Sequence, residues 1–373
     1  MTGSGRSEAR IDLAAITANT RRLDELAGDA GVMAVVKADG YGHGLLPSAR
    51  AVLAGGASWL GVAFLEEALA LRAAGLDAPV LAWLFAPRED LAPAVAADID
   101  LGVYDCAELA AAAAAARATG RTARVHLKVD TGLSRGGAGT ATWPELCAAA
   151  STTDGVDVVG VWSHFAFADG GPDHPVNCRQ AELFADALEV AERAGLRPQV
   201  RHLANSAATL TAPATHYDLV RPGVSLYGLS PVPQLGSPAT FGLRPAMTLA
   251  STVALTKRVP AGAGVSYLHR YTTERDTTLA LVPLGYADGV PRAGTNALPV
   301  QLGGRRRRVA GTVCMDQFVL DVGDDDVSAG DEVLLFGPGD AGEPTAQDWA
   351  DVLGTIDYEI VTRIGARVPR TYR

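Results

Sequence analysis

Cysteine is scarce: the chain holds four in 373 residues, Cys106, Cys147, Cys178 and Cys314, all far apart. No C-x-x-C pair occurs, so neither a disulfide framework nor a thiolate metal centre is expected, and a reducing cytoplasm fits. No apolar run approaches the ~18 residues of a membrane helix. The start, Met1 to Glu8, has no apolar h-region, so no secretory signal is expected. Positive charge is not in excess. The net charge of -10 argues against nucleic acid or an anionic membrane surface as partner. The one basic run, Arg305 to Arg308, reads as a solvated strand or turn. No G-x-G-x-x-G follows an early strand, which weighs against a dinucleotide fold.

What is present is an ordinary globular composition, 48% hydrophobic and 20% charged. The length is too great for one core and points to two domains, which we set at 1–235 and 236–373. In the first, β-rich runs alternate with helical stretches. The runs are Val32–Lys37, Trp59–Ala63, Val80–Leu84, Leu101–Val103, Arg124–Val129, Val158–Ser163, Gln199–His202 and Leu219–Arg221. Helices are predicted over Leu13–Ala27, Phe64–Ala74, Ala107–Arg117 and Val176–Ala194. This alternation is that of an α/β protein, a TIM-like (β/α)8 barrel rather than an open doubly wound sheet. A Pro/Gly/Ser stretch, Ser230 to Pro238, reads as a linker. Beyond it, β runs dominate: Ala246–Val259, Thr277–Leu284, Leu298–Leu302, Val309–Val322 and Glu332–Phe336. One helix is predicted over Ala346–Leu353, capped by Thr345. The C-terminal domain is therefore expected to be mostly β.

Barrels place chemistry at the C-terminal ends of their strands. Lys37 ends the first run and enters a glycine-rich turn, Ala38-Asp39-Gly40-Tyr41-Gly42-His43-Gly44. Burial there lowers an amine's pKa, and a neutral amine attacks aldehydes to form a Schiff base. Lys128 and Asp130 end the fifth run, with Arg135 following. His164 ends the sixth. His202, Asn205 and Ser206 follow the seventh, and Arg221 ends the eighth. Loops after the last two strands commonly bind phosphate, and here they offer the Ser206 hydroxyl and the amides of Gly223 and Val224. An amine, a phosphate cradle and a cation suit pyridoxal 5'-phosphate (PLP). Each residue also has a plainer role: His164 as a structural histidine, Arg221 paired with Asp218, Lys128 as a strand lysine, Ser206 as a helix cap.

Several motifs carry a specific likeness. They are Val35 to Gly44, His126-Leu127-Lys128-Val129-Asp130-Thr131-Gly132, Ser163-His164-Phe165-Ala166, His202-Leu203-Ala204-Asn205-Ser206 and Arg221 to Gly228. Later come Pro245-Ala246-Met247, Val265-Ser266-Tyr267, Gly285-Tyr286-Ala287-Asp288-Gly289, Cys314-Met315-Asp316-Gln317 and Asp357-Tyr358-Glu359. On these, from about Arg10 to Tyr372, the chain resembles bacterial alanine racemase, a fold-type III PLP enzyme. The resemblance implies an isomerase of L- and D-alanine that supplies D-alanine for peptidoglycan. It implies that Lys37 carries the cofactor and serves as one base, and that Tyr267 is the second base, supplied by the partner in a homodimer with shared sites. His164, with Arg221 behind it, would assist that tyrosine. Arg221 would also face the pyridine nitrogen. Tyr41, Ser206, Gly223, Val224 and Tyr358 would hold the phosphate. Arg135 would sit beside the cofactor's phenolic oxygen and substrate, Met315 and Asp316 would bind the substrate carboxylate, and Lys128 is a candidate for carbamylation.

Three departures stand out. Leu133 replaces a more usual methionine, Leu268 replaces the usual glycine, and Gly136-Gly137 follows Arg135. Other readings are a broad-specificity or serine racemase, a fold-type III decarboxylase, and a non-catalytic PLP-binding protein. The second domain and Val265-Ser266-Tyr267 weigh against the last.

Overall fold

The computed structural model describes residues 6–373. Met1 to Gly5, part of the segment read for a leader, lie outside the described residues. Two compact units are present. One comprises Ile16–Gly40 and Leu45–Leu243; the other comprises Arg244–Arg373, Tyr41–Gly44 and the described residues up to Ala15.

The chain's first strand is β1 (Ser7–Ile11). The strands that follow are β2 (Gly31–Val35), β3 (Trp59–Val62), β4 (Val80–Ala82) and β5 (Ile99–Val103). Then come β6 (Ala123–Lys128), β7 (Val156–Trp162), β8 (Val200–His202) and β9 (Leu219–Val220). Strands β2 to β9 form one parallel sheet in the order β8-β7-β6-β5-β4-β3-β2-β9. Backbone bonds draw its ends together: Asp218 N donates to Arg201 O (3.1 Å) and Arg221 N to Ala204 O (2.9 Å). The expected (β/α)8 barrel is thus observed. Most of its strand residues are apolar and buried, as helix-covered parallel strands require, with Asp157 and Arg201 exposed near strand starts. The helix Leu13–Ala27 has the predicted bounds, and Cys106–Thr119 is capped by Asp105, whose side chain accepts from Glu108 N. Part of the expected linker folds onto this unit instead: Ser230 to Val232 are buried, and Ser230 Oγ donates to Gly236 O (2.9 Å).

The second unit is mostly β. Its strands are β10 (Met247–Thr252), β11 (Leu255–Val259), β12 (Gly264–Val265), β13 (Tyr271–Thr272) and β14 (Thr277–Val282). They continue with β15 (Pro299–Leu302), β16 (Arg305–Arg308), β17 (Phe318–Gly323), β18 (Glu332–Phe336) and β19 (Arg370–Tyr372). The largest sheet runs β16-β15-β18-β10-β1-β19, and a second runs β11-β14-β17. β1 is a strand that sequence reasoning missed. It pairs antiparallel with β10 and parallel with β19, and so groups with this unit.

Two predicted runs are broken. Ala246–Val259 splits at Val253-Ala254, and its halves join different sheets. Val309–Val322 is strand only from Phe318, where β17 (Phe318–Gly323) begins, because Gly311 turns the chain at φ 84 and Cys314 N bonds to Gln317 O (2.9 Å). The helix Ala346–Leu353 and its Thr345 cap are as predicted. The arginine run is an exposed strand, with Arg305 and Arg307 paired to Asp325. Among the described residues no helix is long and apolar enough to cross a membrane.

Candidate active site

Lys37 lies two residues beyond the end of β2. The chain then takes a rare path: Ala38, Asp39, Gly40 and Tyr41 all lie in the left-handed region, at φ 54, 53, 60 and 52. Non-glycine residues resist that conformation, so partners must hold it. Glu67 Oε1 accepts from Ala38 N (2.7 Å), and Asp39 Oδ1 accepts from Leu45 N (2.7 Å). The same Glu67 carboxylate takes the amides of Ala63 and Phe64 through Oε2. A turn so fixed sets where Lys37 leaves the barrel. Its ammonium lies 5.8 Å from the Trp83 ring centre. Burial first, then the charge of Arg135, holds its pKa below the usual lysine range, with Glu67 opposing.

The strand ends bring further cations together. Lys128 lies over Trp162 (4.7 Å) and Tyr104 (5.0 Å). Burial, then Arg135 and Arg221, push its pKa down to about 8. Arg221 is buried, and all its hydrogen-bond partners are neutral: Ser163 O (2.8 Å), His202 Nδ1 (3.1 Å), His164 Nδ1 (3.2 Å) and Leu203 O (3.3 Å). Burial pushes its pKa down to about 9, which leaves it cationic at neutral pH. Asp218, the alternative partner weighed from sequence, pairs with Arg201 instead (2.7 Å). A cation donates to His164 Nδ1, so that nitrogen carries no proton. Lost hydration, then Arg221, Arg135, Lys128 and Lys37, hold His164 well below the ordinary histidine range.

Asn205, rather than Ser206, caps the helix Ser206–Thr211: its side chain accepts from Ala208 N (3.0 Å). Ser206 Oγ instead accepts from Gly223 N (2.8 Å). The Gly223 amide expected to be open is therefore satisfied internally, as a buried amide requires.

In the barrel unit, then, Lys37, Lys128, Arg135, His164, Arg221, Ser206, Gly223 and Val224 come together at the strand ends. Tyr41, Tyr267, Met315, Asp316 and Tyr358 belong to the β unit. There Tyr41 and Tyr358 approach each other, with ring centres 6.4 Å apart. Tyr267 is 69% exposed and Leu268 73%. Leu268 is held at φ 63, a conformation natural to glycine and strained for leucine. Tyr267 O accepts from Thr312 Oγ (2.7 Å), and Asp316 pairs with Arg367 (2.8 Å). Sequence reasoning missed Glu67, Trp83, Tyr104 and Trp162. The first caps a turn whose strain no local pattern announces. The aromatics read as ordinary core.

The donor set fits PLP. A half-buried amine of lowered basicity suits an aldehyde. Four cations, Lys37, Lys128, Arg135 and Arg221, share one strand-end region and suit a dianion. A hydroxyl and a backbone amide meet beside a short helix start at Ser206 and Gly223.

Comparison with known proteins settles the family. Residues 11–231 match the model of the alanine racemase N-terminal domain, and residues 246–372 match that of the C-terminal domain. The chain belongs to the alanine racemase family. It is 68% identical to an alanine racemase of Frankia casuarinae, over 98% of this chain and 96% of that protein. It is 61% identical to one of Thermobifida fusca, over 99% of this chain and 98% of that protein. The crystal structure of alanine racemase from a D-cycloserine-producing Streptomyces lavendulae superposes with a TM-score of 0.97. That match has 54% identity and covers 99% of this chain and 97% of the other.

Proposed function

We propose that this chain interconverts L- and D-alanine with PLP, using Lys37 and Tyr267 as bases on opposite faces of the substrate α-carbon. The isomerase activity and the cofactor come with family membership over nearly the whole chain. The observation that carries the residue assignment is the amine of Lys37, held below its usual basicity at the end of β2.

When bound, PLP supplies an aldehyde for amino groups and a conjugated ring that spreads the charge left by α-proton loss. The side chains do the rest. Lys37 anchors the cofactor and moves a proton on one face. Tyr267 moves a proton on the other, so no single base has to cross the cofactor plane. His164 Nδ1 receives a hydrogen bond from Arg221 and orders the proton path to the tyrosine. Arg221 would face the ring nitrogen; as a donor it would leave that nitrogen unprotonated and weaken the electron sink, which would favour racemisation over transamination. Ser206, Gly223, Val224, Tyr41 and Tyr358 would hold the phosphate, the Gly223 amide exchanging its bond to Ser206 Oγ for one to the phosphate. Arg135 would lie beside the phenolic oxygen, Met315 and Asp316 would meet the substrate carboxylate, and Lys128 would be the group for carbamylation.

The working form in this reading is a homodimer in the cytoplasm, each site taking Tyr267, Met315 and Asp316 from the partner. The exposed side chains of Tyr267, Leu268, Met315 and Tyr286 support it, since large exposed apolar groups mark interfaces. The domain division at 235/236 accords with family bounds of 11–231 and 246–372. D-alanine for peptidoglycan is the product's use. A coupled assay of purified protein with L-alanine, L-serine and L-lysine tests the activity. Fast turnover of alanine alone is expected; preference for serine or lysine overturns the specificity.

A further inference from the structure

Barrel interiors are normally filled by branched apolar side chains. Here a line of buried polar groups crosses from β5 to the loop after β9. Asp100 on β5 is 1% exposed, His126 on β6 and His202 on β8 are 0%, and Arg221 is 5%. Arg221 Nη1 lies 3.1 Å from His202 Nδ1. His202 Nε2 lies 2.8 Å from His126 Nδ1, and His126 Nε2 lies 3.2 Å from Asp100 Oδ2. Arg124 Nε closes the line on Asp100 Oδ1 at 2.6 Å.

The two ends fix every proton between them. A guanidinium only donates, so His202 Nδ1 accepts and its proton sits on Nε2. That proton points at His126 Nδ1, which therefore accepts. The His126 proton then sits on Nε2 and is donated to the Asp100 carboxylate. All three hydrogen bonds run one way, from Arg221 to Asp100. Reversing any one of them sets donor against donor in a dry interior, where an unmet polar group costs most.

The rings are also held mechanically. Trp162 stacks on His202 (5.6 Å, 8° between planes), and Trp59 meets His126 edge-on (5.4 Å, 75°). Gly160 leaves the space His126 occupies: a Cβ there would lie 2.2 Å from His126 Nδ1. Arg221 itself lies 4.9 Å from the Trp162 ring.

We propose that Asp100, His126 and His202 are positioning residues: a one-way relay fixes the tautomer of His202 and thereby the orientation of the Arg221 guanidinium. This rests on the reading of Arg221 as the group facing the cofactor ring, and assigns the residues behind it. Asp100 is itself ion-paired with Arg124 at 2.6 Å, so it ends the line as a fixed acceptor. Burial alone would raise the Asp100 carboxyl, but His126 and Arg124 hold it below its usual range, so it stays an acceptor.

The test is 15N spectroscopy of the holoenzyme labelled in histidine and in the cofactor's ring nitrogen, with His126→Asn and His202→Asn giving the assignments. Both histidines are expected protonated at Nε2 and bare at Nδ1. Asp100→Leu removes the final acceptor. It should leave His126 Nε2–H without an acceptor, shift the His126 signals most and the His202 signals less, move the ring-nitrogen resonance and lower kcat about 10–100-fold. Asp100→Asn keeps an acceptor oxygen and should keep both tautomers. Arg124→Met removes the ion pair alone and should leave the histidines as they were. His202 protonated at Nδ1 in the parent would overturn the relay, and that spectrum decides even if Asp100→Leu does not fold. An unmoved spectrum in Asp100→Leu would overturn it too, as would an equal disturbance in Arg124→Met. Protein that takes up no PLP shows no ring-nitrogen resonance; that result sinks the cofactor reading, while the histidine spectrum still judges the relay.

Discussion

The Glu67 carboxylate accepts from the amide of Ala38 at 2.7 Å, one residue beyond Lys37. It thereby clamps a left-handed turn that alanine and aspartate do not favour. Glu67→Gln replaces an acceptor oxygen with a donor, so at least one of the three amides it serves loses its partner. A loss of about 1–3 kcal/mol is expected from denaturant unfolding. PLP affinity, followed by titrating the stripped protein, should weaken with it, while Ala38→Gly in the same background should restore part of both.

Acid should destabilise the protein before its carboxylates titrate. His202 and His164 have folded pKa values well below 6.5, from burial first and then from Arg221. Below pH 6.5 the unfolded chain takes up protons that the folded one refuses, so stability falls as pH falls. Each histidine contributes a slope approaching about 1.4 kcal/mol per pH unit. Unfolding free energies measured between pH 7 and pH 5 should show this slope, and His202→Gln should lessen it. A flat profile in that window contradicts the assignment.

Tyr267→Phe should still bind PLP, because Lys37 remains. Proton transfer should fail on one face only. In deuterated water, α-proton exchange from one enantiomer of alanine should fall far more than from the other. Equal loss from both, with PLP still bound, speaks against two bases.

Shared sites make a prediction about mixtures. Lys37→Ala and Tyr267→Phe are each expected to be inactive alone. In a mixed dimer one site carries both changes and the other carries none. With random exchange, activity should recover to about a quarter of the parent value per subunit, as two-fold symmetry dictates. Free exchange without recovery would place both groups in one chain.

Much of this was legible in the chain itself. Eight apolar runs separated by helical stretches sufficed for the barrel, because parallel strands buried on both faces leave unbroken hydrophobic signals. Lys37, His164 and Arg221 stood out because each polar residue ends such a run. β1 was missed: Ser-Glu-Ala-Arg-Ile is short, and its pairing with β10 and β19 joins residues more than 200 positions apart. Val309–Val322 looked like one strand because Val313 and Met315 are apolar, yet Met315 is 52% exposed in a loop. Asp100 was missed and His126 entered only as part of a motif, with no role, for a different reason: a polar residue inside a strand shows its worth only when its partners from other strands are known.

The central claim is that Lys37 carries the cofactor. The holoenzyme should be yellow, and borohydride should lock the cofactor onto the protein for peptide mapping. A pyridoxyl group on Lys37 alone is the predicted result. A label on Lys128 or any other residue, or no label from protein that folds and is supplied with PLP, would contradict the account.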